Sequence, residues 1–523
     1  MEFLHDLWLN EKFNKRSNDS YAIIDPYGSY TYNTLKHSSY QCAIWLKDMG
    51  IKTGDRIVIV ADSSFYSICF LLASSIVGSI FTVISPETPQ SRYHSIIEEL
   101  DPVLILFEDN HVLNQHLNEN CIEPIFNRFC IHIQKNPSIM IPAEKKSLET
   151  DAVWIIFTSG TTGKPKGIVM SHVAVVSFFK GLIDHIKIPL RSRYASLSPL
   201  QFDFSLLDIG LCLSTGTTLY LPNKLLLKRP EKLIDLLVKW EITHLSSVPT
   251  VWKLILKVCY EKISQFVTLK QIIFAGEHFP VANMRKIYEK LPEIVFYNIY
   301  GQSESIACTF EILDTNYFLS NEISHAPVGK GHSAIEMMLW DENNNRIYES
   351  DRIGELVIRG LPLFSGYWKL PEETSKRLIN DPNQPMDLNK VFKTGDNCFF
   401  DKNGCFYFVG RLDNQVKING NRIEIEEIEK HINSFKYISN CCVFTIVEEE
   451  NEILCAALVL NDQGKSLISG SVESDLRYYL SQILPRYMLP RRYYFHESIP
   501  VTENGKNDRK KMIKSLIGGS KID

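Results

Sequence analysis

Short apolar runs rich in β-branched residues recur along most of the chain, separated by segments of helical length. RIVIV at Arg56 to Val60, Val103 to Phe107, Val153 to Phe157 and Thr217 to Leu221 are continuous rather than alternating. Strands with that texture are covered on both faces, so the pattern predicts a largely parallel sheet packed between helices. The longest uncharged stretch, Phe65 to Pro86, has the length of a membrane span. Serines at 63, 64, 67, 74, 75 and 79 and Gly78 flank or interrupt it, and it becomes β-branched towards Ile84. A buried helix followed by a buried strand is therefore expected, and no membrane partner.

Towards the end of the chain the texture changes. GELVIR at Gly354 to Arg359 and GCFYFV at Gly404 to Val409 read as strands ending in turns, and a charged helix is expected over Glu424 to His431. The predicted class is α/β: a large N-terminal domain of β-sheets packed with helices over 1–412, and a small mobile α+β domain over 413–523. Asp413 and Asn414 form the expected linker.

Composition narrows the function. The 523 residues are 45% hydrophobic and 22% charged, which suits a globular protein of more than one domain. A formal net charge of -5 offers no basic excess for a phosphate backbone, so nucleic acid is not an expected partner. The twelve cysteines, adjacent Cys441 and Cys442 included, have no paired metal-ligand spacing. The start, MEFLHDLWLNEKF, lacks a basic region followed by an apolar stretch. Reduced thiols in a cytoplasmic protein are expected.

The segment richest in chemistry is TSGTTGKPKG, Thr158 to Gly167, directly after the apolar strand VWIIF. Gly160, Gly163 and Gly167 let the backbone approach an anion. Thr158, Ser159, Thr161 and Thr162 add hydroxyl donors, and Lys164 and Lys166 add positive charge. A flexible surface turn uses the same residue types, but ten ordered positions after a buried strand favour a phosphate-binding loop. It is not GxxxxGK[ST], the loop of P-loop nucleoside triphosphatases.

TSGTTGKPKG resembles the signature of the adenylate-forming superfamily: acyl-CoA synthetases, luciferases and the adenylation domains of nonribosomal peptide synthesis. Further segments similar to that family follow in its order. They are YTYNTL at Tyr30, YNIYGQSES at Tyr297, GELVIRG at Gly354, KTGD at Lys393, GRLDNQVKINGNRIEIEEIE at Gly410 and NGK at Asn504. The resemblance implies ATP and Mg²⁺ as cofactors. It places Gly276, Asn298, Tyr300, Gly301, Ser303, Asp396 and Arg411 around the nucleotide, with Tyr300 offering a flat face to the purine, Asn298 reading its edge and Asp396 on the ribose hydroxyls. Glu304 would hold the metal. Lys506 would stabilise charge as the substrate carboxylate attacks the α-phosphate. Asp413 would be the hinge that exchanges Lys506 for Lys417 before thioester formation.

The acid to be activated is read from SPLQFDFSLLDIG, where Asp203 interrupts an apolar run. An aspartate so placed is commonly a helix cap. In the amino-acid-activating members, however, FDxS supplies the carboxylate that pairs with the substrate ammonium, and a buried carboxylate needs such a cation. The family's pocket maps onto Asp203, Phe204, Leu207, Ser246, Ile273, Ala275, Ile299, Ala307, Cys308 and Lys506. Apart from Asp203 and Lys506 that lining is uncharged, which suits a small or medium apolar amino acid. FAGEHFP resembles D-alanine:carrier-protein ligases, although Ala275 stands where those typically have cysteine. PLQFDFSLLDIG, with Leu207 and Cys308, is closer to freestanding prolyl-adenylating enzymes, so L-proline is the expected substrate and D-alanine the alternative.

The expected acceptor is the phosphopantetheine thiol of a separate carrier protein. LIGGS at Leu516 to Ser520 is similar to a carrier's serine site, but a carrier needs about four helices around that serine, and the chain ends at Asp523. Two other readings compete. An acyl- or aryl-CoA ligase would use free coenzyme A and have no need of Asp203, and a catalytically dead nucleotide-binding regulator would lack a catalytic group, whereas Lys506, Glu304 and Asp396 are all present.

Overall fold

The computed structural model describes residues 2–9, 17–108, 122–125, 129–133, 147–160, 164–314, 317–318, 326–384, 390–448, 451–467, 469–501 and 507–518. The chain forms two compact units. The first comprises Met1–Pro86, Leu100–Ile156 and Gly167–Leu412. The second gathers Glu87–Glu99 and Phe157–Lys166 with Asp413–Asp523.

Two eight-stranded sheets dominate the first unit. In one, Val295–Tyr300, Gln271–Ala275, His244–Ser247, Arg193–Ser196, Thr218–Tyr220 and Tyr21–Asp25 run parallel in that order. Antiparallel strands Thr309–Leu313 and Gly28–Thr31 close its edges. The other is built on parallel Ile80–Ile84, Arg56–Val60 and Leu104–Glu108. Their apolar runs are buried almost throughout, as the absence of alternation requires. A third, antiparallel sheet contains Ile335–Trp340, Gly354–Gly360, Lys390–Phe400 and Phe406–Arg411.

The uncharged stretch after Ser64 resolves as expected. Ser64 caps helix Phe65–Val77 with a reciprocal capping box to Ser67, Gly78 ends it in the left-handed conformation, and strand Ile80–Ile84 follows. Among the described residues no helix is long and apolar enough to cross a membrane. The ten cysteines whose side chains are described are free and buried.

The second unit is α+β. The hairpin Gln415–Ile418/Asn421–Glu424 leads into helix Ile425–Asn433, and strands Ile438–Glu448, Asn451–Leu460 and Arg492–Phe495 form a sheet. Ile423, Ile428, Ile432, Val443, Leu458 and Leu476 are buried in its core. The observed architecture is thus the mixed α/β fold with a smaller α+β portion that the sequence predicts.

Candidate active site

Strand Lys390–Phe400 places Asp396 directly opposite Arg411 of strand Phe406–Arg411. Asp396 is buried, and Arg411 Nη1 donates to its Oδ1 at 2.5 Å. The Tyr300 hydroxyl and Gln302 Nε2 both donate to Oδ2, the latter at 2.7 Å. Gln302 and Arg411 also donate to the Thr394 carbonyl, at 3.1 and 3.0 Å. Burial, reinforced by the Asp396 charge, pushes the Tyr300 phenol well up, so it stays a donor. A carboxylate offers about four acceptor sites, which leaves capacity for a further hydroxyl beside these donors. The structure therefore joins Tyr300, Asp396 and Arg411 in one network. Gln302 belongs to it too; sequence reasoning passed over that residue, and its place between Gly301 and Ser303 was the available signal.

Asp396→Asn is expected to keep the shape and remove the charge that Arg411 faces. A hydrogen bond to a charged group contributes about 1.5 to 3 kcal/mol, so the free energy of unfolding should fall by that order, lowering the melting temperature, and the KM for ATP should rise. Unchanged melting and ATP dependence would show the network to be incidental.

Strand Val295–Tyr300 runs out into the loop that carries Gly301, Ser303 and Glu304. The Cys308 N–H returns to the Tyr300 carbonyl at 2.7 Å, and Ile306 is held at φ 61°, an unusual conformation for a β-branched residue. Glu304 is fully buried, and the Tyr367 hydroxyl donates to its Oε1 at 2.9 Å. The Asn298 amide donates to the Pro327 carbonyl at 2.7 Å, and Gly276 turns the chain after strand Gln271–Ala275. Among the described residues no group of three or more His, Cys, Asp or Glu could hold a metal. A lone buried carboxylate fits Mg²⁺ all the same, because that ion takes one or two carboxylates together with phosphate oxygens and water.

The strand Ala152–Thr158 leads into the loop, whose residues from Phe157 to Lys166 belong to the second unit. The Thr158 hydroxyl oxygen is buried with no hydrogen-bond partner. Ser159 Oγ donates to the Arg422 carbonyl at 2.9 Å and accepts the Glu424 N–H at 3.2 Å. The Gly160 N–H donates to Glu427 Oε2 at 3.2 Å, while Arg92 holds Glu427 Oε1 at 2.6 Å. The Gly160 amide is thus taken by a carboxylate oxygen of the second unit. A Cβ at position 160 would lie 2.2 Å from the Lys164 carbonyl, so only glycine fits there. Lys164 is exposed, and Lys166 lies near Glu424. Lys417 is half-buried in its hairpin, and Asp413 Oδ1 accepts the Gln415 N–H at 3.3 Å. Thr161, Thr162, Gly163 and Lys506 lie outside the described residues.

Sheet register assembles the expected substrate-pocket residues of the first unit. Ser246 pairs with Ile273, and Ala275 with Ile299, so the four share one face of the sheet. Ser246, Ile273, Ile299, Ala307 and Cys308 are buried, and Leu207 is buried on helix Asp203–Thr215. Asp203 and Phe204 open that helix and are only partly buried. This corrects the expectation that the Asp203 carboxylate is buried. It sits in the first turn and accepts the Phe204 N–H at 2.9 Å, so desolvation does not by itself demand a cation there.

Two family models match the chain: the AMP-binding enzyme over residues 10–368 and the AMP-binding enzyme C-terminal domain over 427–506. The D-alanine--D-alanyl carrier protein ligase of Bacillus cytotoxicus is 28% identical over 516 residues, covering 97% of this chain and 98% of the relative. Gramicidin S synthase 1 of Brevibacillus brevis is 27% identical over 522 residues, covering 99% of this chain and 45% of the relative. The crystal structure of IdnL1 superposes with a TM-score of 0.84 at 29% identity, covering 96% of this chain and 99% of that one. PA1221, an NRPS protein containing adenylation and PCP domains, superposes at 0.78 with 22% identity over 98% and 97% of the two chains, a likeness of fold. With these two models matched over 10–368 and 427–506, the chain belongs to the AMP-binding enzyme family.

Proposed function

We propose that the protein activates an amino acid with ATP, forming the aminoacyl adenylate and pyrophosphate, and then transfers the aminoacyl group to the phosphopantetheine thiol of a separate carrier protein. The observation that carries this reading is Asp203, a carboxylate in the first turn of helix Asp203–Thr215, with Leu207 of the same helix among the pocket residues. An ammonium group is the natural partner of that anion. Full-length relatives named D-alanine--D-alanyl carrier protein ligase support carrier loading. Buried free thiols suit a reducing compartment, so the reaction belongs in the cytoplasm.

ATP enters with its phosphates on Thr158, Ser159, Gly160, Thr161, Thr162, Gly163, Lys164 and Lys166. Its ribose hydroxyls are taken by Asp396, and Glu304 would hold a Mg²⁺ ion, which would offset the triphosphate charge. Lys506 then stabilises the attacking carboxylate and the α-phosphate, and Lys417 serves the thioester step after rotation about Asp413. L-proline is the preferred substrate: its ring is compact and apolar, and its ammonium keeps two N–H donors. D-alanine is the second reading, favoured by the names of the relatives, with Ala275 standing against it.

Lys417→Ala separates the two half-reactions. Pyrophosphate exchange should stay near wild type while thioester formation slows. Equal loss in both would contradict the two-conformation scheme. The acceptor is tested by supplying free coenzyme A and a phosphopantetheinylated carrier protein side by side. Loading of the carrier supports the reading, and transfer to coenzyme A alone moves the protein to the CoA ligases.

A further inference from the structure

Helix Asp203–Thr215 carries a second aspartate, five positions after Asp203, that the proposed chemistry does not use. Asp208 is fully buried, on the side of the helix that faces the sheet. The Tyr194 hydroxyl donates to its Oδ1 at 2.9 Å and the Ser196 hydroxyl to its Oδ2 at 2.5 Å. Tyr194 and Ser196 belong to strand Arg193–Ser196, two residues apart and therefore on one face. Ser196 pairs in register with Ser246, and Ser246 with Ile273. The Ser246 hydroxyl lies close enough to lower the pKa of the same carboxyl. Asp208 is thus fastened to the sheet row whose next members are pocket residues.

The rest of the helix is seated by packing. At Gly210 a Cβ would lie 2.0 Å from the Phe179 ring, so glycine lets the neighbouring helix His172–His185 approach closely. Ser205 bonds back to the carbonyls of Leu200 and Phe202, at 3.1 and 2.8 Å, which fixes the turn ahead of the helix. Packing alone sets how near the helix lies. Hydrogen bonds to two defined hydroxyls set its rotation and its register along the axis, because a turn of the helix would orphan a buried carboxyl.

We propose that Asp208 is a positioning residue for amino-acid selection, fixing the helix so that Asp203, Phe204 and Leu207 stand at their places along the pocket. This rests on the amino-acid reading above. Burial pushes the Asp208 carboxyl up to about 7. Near neutrality it is shared between acid and carboxylate, and rotatable hydroxyls can satisfy either form.

The test is steady-state pyrophosphate exchange with L-proline and D-alanine, reading the KM for amino acid and the KM for ATP separately. Asp208→Ala should raise the amino-acid KM by about tenfold or more, the effect of one or two unmade buried hydrogen bonds, and leave the KM for ATP within about twofold. Asp208→Asn keeps the shape and an acceptor, and should bring the amino-acid KM back to within about threefold of wild type. If Asp208→Ala does not fold, the double variant Tyr194→Phe, Ser196→Ala must give the same split. Both KM values rising together, or neither moving, overturns the inference while leaving the amino-acid reading intact. Absence of amino-acid-dependent exchange in the wild type overturns both.

Discussion

Lys506→Ala lowers adenylate formation by on the order of a hundredfold or more while ATP still binds. The role assigned to this lysine is to meet charge that exists only as the carboxylate attacks the α-phosphate, so its loss falls on kcat rather than on ground-state affinity. Single-turnover formation of the adenylate, together with the KM for ATP, separates the two. Two other lysines, Lys510 at the end of VTENGKNDRK and Lys511 directly after it, stand at the start of helix Arg509–Gly518. A variant with near wild-type exchange would therefore assign the catalytic role to a different lysine. Lys506→Arg keeps the charge with another shape and should recover little, because a planar fork does not replace a compact ammonium.

Asp203→Ala removes the anion that selects the ammonium. Truncating one member of a charged recognition pair costs about 2 to 5 kcal/mol. Since Asp203 is only partly buried, a loss in the lower part of that range is expected. Amino-acid-dependent exchange then falls by tens to hundreds of fold, about 1.4 kcal/mol for each factor of ten. Acids of similar size without an amino group lose nothing, so discrimination between the two classes collapses. Retained preference for the amino acid in this variant would place the ammonium partner elsewhere. The lining itself cannot supply such discrimination, because apolar contacts distinguish neighbours that differ by one methylene by only about 1 to 3 kcal/mol. Some activity with alanine or valine is expected in the wild type.

Much of this architecture is legible in the sequence because continuous apolar runs report burial directly. Arg56–Val60 is a strand with the predicted bounds, and Gly354–Gly360 extends the predicted one by a single residue. Ser64 starts helix Phe65–Val77 and Gly78 ends it through capping chemistry that is local to the chain. What the sequence did not reveal are partnerships made across long separations. Gln302 meets Asp396 across 94 positions, and Arg92 meets Glu427 across 335, with no local pattern to mark either pair. Asp208 is nearer to its partners, 14 and 12 positions after Tyr194 and Ser196, but they lie on the strand before the helix and no motif marks the pairing. Asp203 shows the opposite limit. Its apolar neighbours suggested burial, but they face the core from the helix while Asp203 occupies the first turn, where the backbone amides are still open.

The central claim is that this chain makes an aminoacyl adenylate, and amino-acid-dependent ATP–pyrophosphate exchange measures that step alone. The panel is the common amino acids, D-alanine and several aryl acids, each with ATP and Mg²⁺. Exchange led by L-proline, with weaker signals from alanine and valine, is the predicted result. A panel led by D-alanine would keep the mechanism and replace the substrate, whereas exchange only with acids that lack an amino group would contradict the role of Asp203 and the account built on it.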